Sequence, residues 1–334
     1  MNIGSLGDMA QSYAMQSRNS ALKQDIQRLT SELASGKIAD VRQAVGGNSA
    51  YINDVERSLK KLDAYGLATR EAGQLAEGMQ AALSQINTVT DSFRATLLTS
   101  TVSALGETSN TLLTQAKGAL GDVISALNTG VGGRSVFSGT ATDTKPMAPA
   151  EDILAALGTA VAGAGSLDDI LTAAQAWFDD PAGFGSTGYL GSDNSLAPLS
   201  LSDGEKAQID IRADSPALRN IVQNLAIVAL ADDPALGLTK AQQNELFQKI
   251  TPGILGATGT LVDMQSQIGY AEERIEAITV RQSTERSTLE MARNDLLSID
   301  PYETATELEQ VQFQLQSLYA ITSRMSQLSL VNFL

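Results

Sequence analysis

The sequence predicts a mainly α-helical protein in which both termini form a long antiparallel helical coiled-coil stalk that carries a smaller, inserted α+β domain. In both terminal parts of the chain, apolar residues recur every three or four positions, which is the period of a helix. Aromatic residues make up only 4% of the composition, and packed helices need fewer of them than a sandwich or barrel does. The helical period is lost between Pro146 and Pro252, where we expect the inserted domain.

Three amphipathic segments follow one another in the amino-terminal part of the chain. The first carries an apolar stripe made of Leu22, Ile26, Leu29 and Leu33. We expect this helix to be interrupted at Gly36, since glycine is a common residue after a helix end. The same spacing over residues 75–93 and 113–127 predicts two more helices, and the glycines that begin at Gly130 form an ordinary helix stop.

Shorter elements are predicted in the inserted region. Amphipathic patterns indicate helices over residues 151–161, 167–178, 217–230 and 240–250. Alternating residues at 198–201 and 207–212 lie on either side of a Ser-Asp-Gly-Glu-Lys turn signal. This arrangement predicts a β-hairpin, so the insertion is expected to mix helices with a small sheet.

The most regular pattern of the chain lies after the insertion. Between Leu261 and Ile299, six heptads place apolar residues at both core positions, and only Gln282 and Glu285 interrupt them. The sequence therefore predicts one long helix with a continuous coiled-coil seam. Asp300 and Pro301 then indicate a new helix start, with Asp300 as the cap and Glu303 completing a capping box.

The last helix carries a stripe that needs a partner. A long amphipathic helix is not stable alone, so we expect the terminal helices to pack on each other and on other copies of the chain. In the free subunit, roughly residues 1–40 and 300–334 should then be largely disordered. The predicted assembly interface consists of Leu22, Ile26, Leu29, Leu33, Leu308, Val311, Leu315, Leu318, Met325, Leu328, Leu330 and Leu334. Periodicity alone is equally compatible with a bundle that closes within one chain.

These patterns divide the chain into five segments. They are an amino-terminal helix (1–45), the first part of the stalk (46–145), the inserted α+β domain (146–252), the second part of the stalk (253–299) and a carboxyl-terminal helix (300–334). The two terminal segments are the expected sites of assembly.

Composition limits the possible functions. The chain has 23 basic and 38 acidic residues and a formal charge of −15, so neither nucleic acid nor a membrane surface is an expected partner. Cysteine and histidine are both absent, which removes disulfides, thiolate and imidazole catalysis and the common zinc ligands. We expect no metal, no cofactor and no enzymatic activity. Residues 1–15 also lack the features of a cleavable secretory signal.

Several short motifs have a chemical alternative. Residues 58–61 match the S-x-x-K pattern and residues 192–194 match S-D-N, two parts of a serine acyl-transfer signature whose K-T-G part is missing. We interpret both as surface residues. The Asp-Asp-Pro runs at 179–181 and 232–234 do not fit a calcium loop and are interpreted as turns.

Three longer motifs resemble the bacterial flagellin-like family. Residues 27–38, QRLTSELASGKI, are similar to the signature at which the family's amino-terminal helix ends. Residues 134–146, RSVFSGTATDTKP, resemble its crossing into the outer domain. The closing residues 326–334, SQLSLVNFL, resemble the end of the members that join hook and filament. At residues 44–49 the chain departs from the family, which usually has an acidic turn there.

The resemblance implies a flagellin-like fold whose terminal helices form the inner layers of a hollow tube at the hook–filament junction. It implies as partners other copies of the chain, hook-associated protein 1, flagellin and a flagellar export chaperone. It also implies an extracellular location, reached by type III export without a cleaved signal. A filament-forming flagellin is the nearest alternative, followed by a type III needle-tip protein and, last, a serine hydrolase.

Overall fold

The computed structural model of the chain describes residues 3–40, 50–102 and 106–331. The helices are α1 (Ile3–Ser35), α2 (Ala50–Val102), α3 (Gly106–Leu127), α4 (Ala150–Val161), α5 (Leu167–Asp179), α6 (Phe184–Thr187), α7 (Pro216–Leu230), α8 (Lys240–Leu297) and α9 (Pro301–Val331). The strands are β1 (Gly130–Val131), β2 (Arg134–Ser135), β3 (Leu199–Ser202) and β4 (Glu205–Ala207). The predicted mainly α fold with a small α+β insertion is confirmed.

Two compact units make up the structure. One consists of Met1–Leu62 together with Ser283–Leu334, and the other of Asp63–Gln282. The five segments predicted from the sequence are divided at other residues than these two units, and that division stays a prediction. No helix in the described parts of the chain is both long enough and apolar enough to cross a membrane.

The core of the second unit is formed where α3 packs on α7. Leu120 and Leu127 of α3 and Ile221 and Leu225 of α7 are fully buried. Helices α4 and α5 pack on each other and on α7, so the insertion shares one apolar core with the helix that precedes it. The predicted bounds of α4, α5 and α7 agree with the structure to within one residue at each end.

Helix α8 differs from its prediction. The sequence pattern indicated a helix over 240–250 and a separate one from Leu261, but a single helix runs through Pro252. Proline removes one backbone hydrogen bond, to the carbonyl of Gln248 four residues earlier. Both residues are exposed, so water can satisfy that carbonyl. The helix continues because its apolar face stays in the core on both sides of the proline, at Ile250 and Ile254.

The heptad seam of α8 is buried as far as Gln282. Its members in this stretch are Leu261, Met264, Ile268, Ala271, Ile275, Ile278 and Gln282, all of them buried. Gln282 donates to the carbonyl of Leu201 (2.6 Å) and accepts from the Thr69 hydroxyl (3.4 Å). The predicted polar break is therefore the point where the seam binds the β3–β4 hairpin. From Glu285 to the end of α8, no seam residue is buried.

The predicted β-hairpin is present, but its second strand was placed wrongly: β4 is Glu205–Ala207, most of it within the predicted turn, and residues 208–212 form no strand. The strands pair antiparallel with Leu199 opposite Ala207, and an irregularity lies between Ser200 and Ser202. Two side chains of the long helices hold its turn. The Tyr65 hydroxyl donates to Asp203 (2.7 Å), and Arg281 donates to Glu205 (2.5 Å).

A second hairpin was missed by the sequence analysis. Helix α3 ends at Leu127, and the chain then forms β1 and β2 around Gly132 and Gly133, both with positive φ. The glycines therefore act as a turn as well as a helix stop. Strands of two residues are too short to show alternation, which is why the sequence carries no signal for them.

Residues 137–140 are held by hydrogen bonds to the loop that contains the S-D-N motif at residues 192–194, and we call this contact the clasp. Ser192 N–H donates to the Ser138 carbonyl (2.9 Å), and Thr140 N–H donates to the Asn194 carbonyl (3.0 Å). The Ser192 hydroxyl accepts from the Thr140 hydroxyl (2.8 Å). These bonds give the S-D-N motif a structural role in this loop.

Arg212 and Tyr189 complete this clasp from the other side. Arg212 is held by Asp214 (2.8 Å) and donates to the Asp193 carbonyl (2.5 Å). The Tyr189 hydroxyl donates to the Ser192 carbonyl (2.9 Å). Burial, followed by the nearby Asp214 carboxylate, raises the pKa of Tyr189 to about 12.

We predict that Gly139→Ala destabilises the protein. Gly139 has φ +61, and an added Cβ would lie 2.4 Å from the Asn194 carbonyl oxygen. Strain and clash together should lower the free energy of unfolding by about 2 kcal/mol or more. Urea denaturation followed by circular dichroism measures it. The matched control is Gly118→Ala, on an open face of α3, which should be neutral or raise stability by about 0.5–1 kcal/mol. Equal effects of the two substitutions would contradict the clasp.

Candidate assembly interface

Helices α1 and α9 lie antiparallel along each other. At one end the Thr322 hydroxyl approaches the Met15 sulfur (3.8 Å). At the other end Ile38 N–H donates to the Leu297 carbonyl (2.9 Å), just outside both helices. The structure thus brings together the two terminal segments that the sequence predicted to pair.

The twelve predicted interface residues differ in burial. Leu29 is 2% exposed and Leu22 is also buried, whereas Leu33 is 40% exposed. Ile26, Leu308, Val311, Leu315, Leu318 and Met325 are half-buried. Leu328 and Leu330 belong to α9, but their side chains lie outside those that the structure describes, and Leu334 lies outside the described residues. We call the described members other than Leu33 the α1/α9 seam.

The end of α1 is joined to the start of α9 by a short β-bridge. Gly36 has φ +70, and its N–H donates to the Glu32 carbonyl (2.8 Å), which closes the helix. Lys37 and Ser298 then form an antiparallel bridge, with Ile299 N–H donating to the Gly36 carbonyl (3.2 Å). The Ser-Gly-Lys-Ile part of the first motif is therefore the turn that makes this bridge possible.

Glu32 stabilises the same turn and was not singled out from the sequence. It is 4% exposed, and its carboxylate accepts from Ala39 N–H (2.9 Å) and from Arg28 (3.1 Å). A buried carboxylate needs such partners, because desolvation of an unpaired charge is costly. Its only sequence signal is its place within the first motif, four residues after an arginine.

The predicted cap of α9 is present. The Asp300 carboxylate accepts from Tyr302 N–H (2.8 Å) and Glu303 N–H (3.2 Å), which satisfies two of the free donors at a helix start. The Thr304 hydroxyl is buried and donates to the Asp300 carbonyl (2.8 Å). The start of α9 is thereby fixed next to the bridge.

Polar side chains also lie on both helices at the middle of the pair. The Asn19 and Lys23 side chains of α1 act on the Tyr319 hydroxyl of α9 and lower its pKa. Tyr319 is nearly half exposed, so it lies at the edge of the seam. No sequence pattern pairs these residues, because the register of two helices is set by their packing.

The arrangement is suited to helix–helix association. Within the described ranges, no group of three or more Asp or Glu side chains is placed to hold a metal ion. The side chains of the pair instead present apolar stripes, amides and hydroxyls. Such surfaces bind other helices.

The comparisons with known proteins agree with this view. Residues 253–334 match the family described as the bacterial flagellin C-terminal helical region. A protein of Vibrio parahaemolyticus described as a flagellar hook-associated protein has the same fold, with a TM-score of 0.50 at 13% identity. That match covers 74% of this chain and 96% of the other. No curated protein matches the sequence.

A second solved structure, FlgL of Bacillus cereus, has a TM-score of 0.53 at 11% identity and covers 72% of this chain and 99% of that one. The chain therefore has a flagellin-like fold, and its carboxyl-terminal quarter carries the flagellin helical region. The resemblance stated from the sequence motifs is confirmed. Together these findings support a structural role in the bacterial flagellum.

We predict that Leu29→Ala weakens the α1/α9 pair more than Leu33→Ala does. Leu29 is buried and Leu33 is not, and deleting a buried leucine side chain costs about 2–5 kcal/mol. Both variants are introduced into the chromosomal gene, and flagella purified from the cells are heated. The Leu29 variant should be released at a lower temperature than the Leu33 variant. Equal release temperatures would contradict the seam.

Proposed function

We propose that this chain is the subunit that joins the flagellar hook to the flagellin filament, the role of hook-associated protein 3. The observation that carries the proposal is that the fold matches almost the full length of two chains described as a flagellar hook-associated protein and as FlgL. The closing residues 326–334, which resemble the junction members of the family, support the same role.

In the proposed mechanism, folding of the termini is coupled to assembly. Among the described side chains of α1, the apolar ones that are buried are Leu22 and Leu29, whereas Tyr13 is 76% exposed. A pair of helices with so little buried area is marginal on its own. Burying a further large apolar side chain contributes about 1.5–3 kcal/mol, so contact with neighbouring copies can offset the cost of ordering the termini.

The proposed partners follow from the position of the subunit. Other copies form the ring, hook-associated protein 1 lies on the hook side, and flagellin lies on the filament side. A flagellar export chaperone is proposed for the unassembled chain. The proposed location is the outside of the cell, reached through the flagellar export channel without a cleaved signal.

A filament-forming flagellin is the second candidate. It is favoured by one observation, the match of residues 253–334 to the flagellin helical region. The two candidates differ in how far assembly proceeds, because a flagellin polymerises without limit and a junction subunit stops after a short stack. Incubation of purified protein with filament seeds distinguishes them.

Deletion of the gene tests the proposed function. We expect cells with hooks but no filaments, and flagellin shed into the medium, because the filament has no base on which to grow. Electron microscopy of the cells and immunoblotting of the medium measure this. Complementation with the wild-type gene is the control. Normal filaments on the deletion strain would contradict the junction role.

Coupled folding predicts lower helicity in the free subunit than in the assembled one. The segments expected to be disordered in the free subunit, roughly residues 1–40 and 300–334, are about a fifth of the chain, so mean helicity should differ by about that fraction. Circular dichroism of the purified and the assembled protein measures it. Equal helicity in both states would rule out the mechanism.

Limited trypsin digestion provides the control within the same molecule. Arg18 and Lys23 of α1 should be cut in the free subunit and protected in the assembled one. Arg212, held by Asp214 in the clasp, should be protected in both. Cleavage at Arg212 in the free subunit would mean that the loss of structure is not confined to the termini.

A further inference from the structure

At the end of the α1/α9 pair that lies nearest the chain termini, methionine takes the place of leucine. In α1, steps of three and four residues back from Leu22 lead to Asn19 and Met15. In α9, the same steps past the last leucine of the seam lead to Thr322 and Met325. Both methionine side chains are half-buried, so the apolar contact at this end of the pair depends on two thioethers that solvent can reach.

Each of the two sulfur atoms faces a polar group of the opposite helix. The Met15 sulfur lies 3.8 Å from the Thr322 hydroxyl, and the Met325 sulfur lies 3.9 Å from the amide nitrogen of Gln11. A thioether is only a weak acceptor, so both are mainly packing contacts. The Thr322 hydroxyl already donates its proton to the Leu318 carbonyl (2.7 Å).

Other methionines of the chain cover the full range of exposure. Met79 and Met147 are buried in the core of the second compact unit, at 1% and 2% exposed, whereas Met291 of α8 is 60% exposed. Oxidation of a thioether depends on its exposure. Among the methionine side chains that the structure describes, only Met15 and Met325 are both accessible and part of a helix–helix contact between α1 and α9.

We propose that Met15 and Met325 form an oxidation site, and that conversion of their thioethers to sulfoxides by hydrogen peroxide loosens the α1/α9 pair. In this step a lone pair of the sulfur attacks one peroxide oxygen, the O–O bond breaks, an S–O bond forms and water leaves. The sulfur gives up two electrons and the peroxide takes them. The inference rests on the proposed function, because a location outside the cell exposes the pair to such oxidants.

The two positions differ in what a sulfoxide would meet. The new oxygen is a strong acceptor, and at Met15 it would face the oxygen of Thr322, whose proton is already given to Leu318. An acceptor without a donor in a half-buried place disfavours the closed pair. At Met325 the amide of Gln11 can donate to the new oxygen and offset part of this cost. Oxidation of Met15 should therefore have the larger effect.

Heating of peroxide-treated flagella tests the site. Flagella are purified from strains whose chromosomal gene is wild type, Met15→Leu/Met325→Leu or Met291→Leu. Leucine resembles methionine in volume and packs in its place at low cost, but it has no sulfur to oxidise. All other flagellar proteins are the same in the three strains, so their oxidation contributes equally.

We expect peroxide to act on two of the three strains. At a temperature that releases half of the untreated wild-type chain, treatment should lower the retained amount roughly fivefold or more in the wild type and in the Met291 variant, because apolar side chains become polar. The double variant should be unchanged. Immunoblotting measures the retained chain, and mass spectrometry of its peptides measures sulfoxide at each methionine.

Three results would overturn the proposal. They are sulfoxide at Met15 and Met325 without earlier release, full sensitivity of the double variant, and unoxidised sulfur at both positions when Met291 is fully oxidised. If the double variant does not enter flagella, the single variants decide, and Met15→Leu should remove more of the sensitivity than Met325→Leu. Failure of the proposed function is distinguishable, because the wild-type chain would then be missing from the flagella.

A substitution gives a second measurement that needs no oxidant. Met15→Gln places a polar side chain of similar length beside Thr322 and should lower the temperature at which the chain is released from flagella. Met291→Gln, on an exposed position of α8, is the control and should leave the release temperature unchanged. Equal release temperatures of the two variants would contradict the role of Met15 in the pair.

Discussion

Helices α1 and α9 each carry an apolar stripe that neither helix can bury alone. The stability of the pair therefore depends on the contact between the two stripes. In the structure, Leu22 and Leu29 of α1 are covered by the seam face of α9, and the bridge between Lys37 and Ser298 fixes the register of the two helices at one end. Most of the helical stability in proteins comes from such packing and little from propensity. The turn at Gly36, the buried Glu32 and the cap at Asp300 all stabilise the place where the end of α1 meets the start of α9.

Burial is distributed unequally between the two compact units. The unit formed by Asp63–Gln282 has a continuous core of α3, α7, the insertion and the α8 seam up to Gln282. The unit that holds α1 and α9 leaves Tyr13, Phe313 and Ile321 in solvent. The clasp around Gly139 belongs to the unit formed by Asp63–Gln282.

The insertion is tied to the helices by side chains that had suggested other roles. Gln282 looked like a defect in the heptad seam, and it is the residue that binds the β3–β4 hairpin. The S-D-N motif looked like part of a catalytic signature, and its backbone holds the loop opposite Ser138 and Thr140. In both cases a polar group in an unexpected place is satisfied by a backbone partner, as buried polar groups must be.

The sequence by itself determined most of the helices, because their signal is a period repeated over many residues; the four-residue α6 was not predicted, and the two helices predicted within α8 are one. The ends of α4, α5 and α7, the stop at Gly36, the cap at Asp300 and the heptad seam were all predictable for this reason. Only the tertiary structure decided what depends on residues far apart in the chain. The continuation of α8 through Pro252, the β1–β2 hairpin and the partners of Glu32 depend on local packing that leaves no periodic trace. Which side chains of α1 and α9 are covered likewise needed the structure, since a stripe of apolar residues does not say which partner covers it.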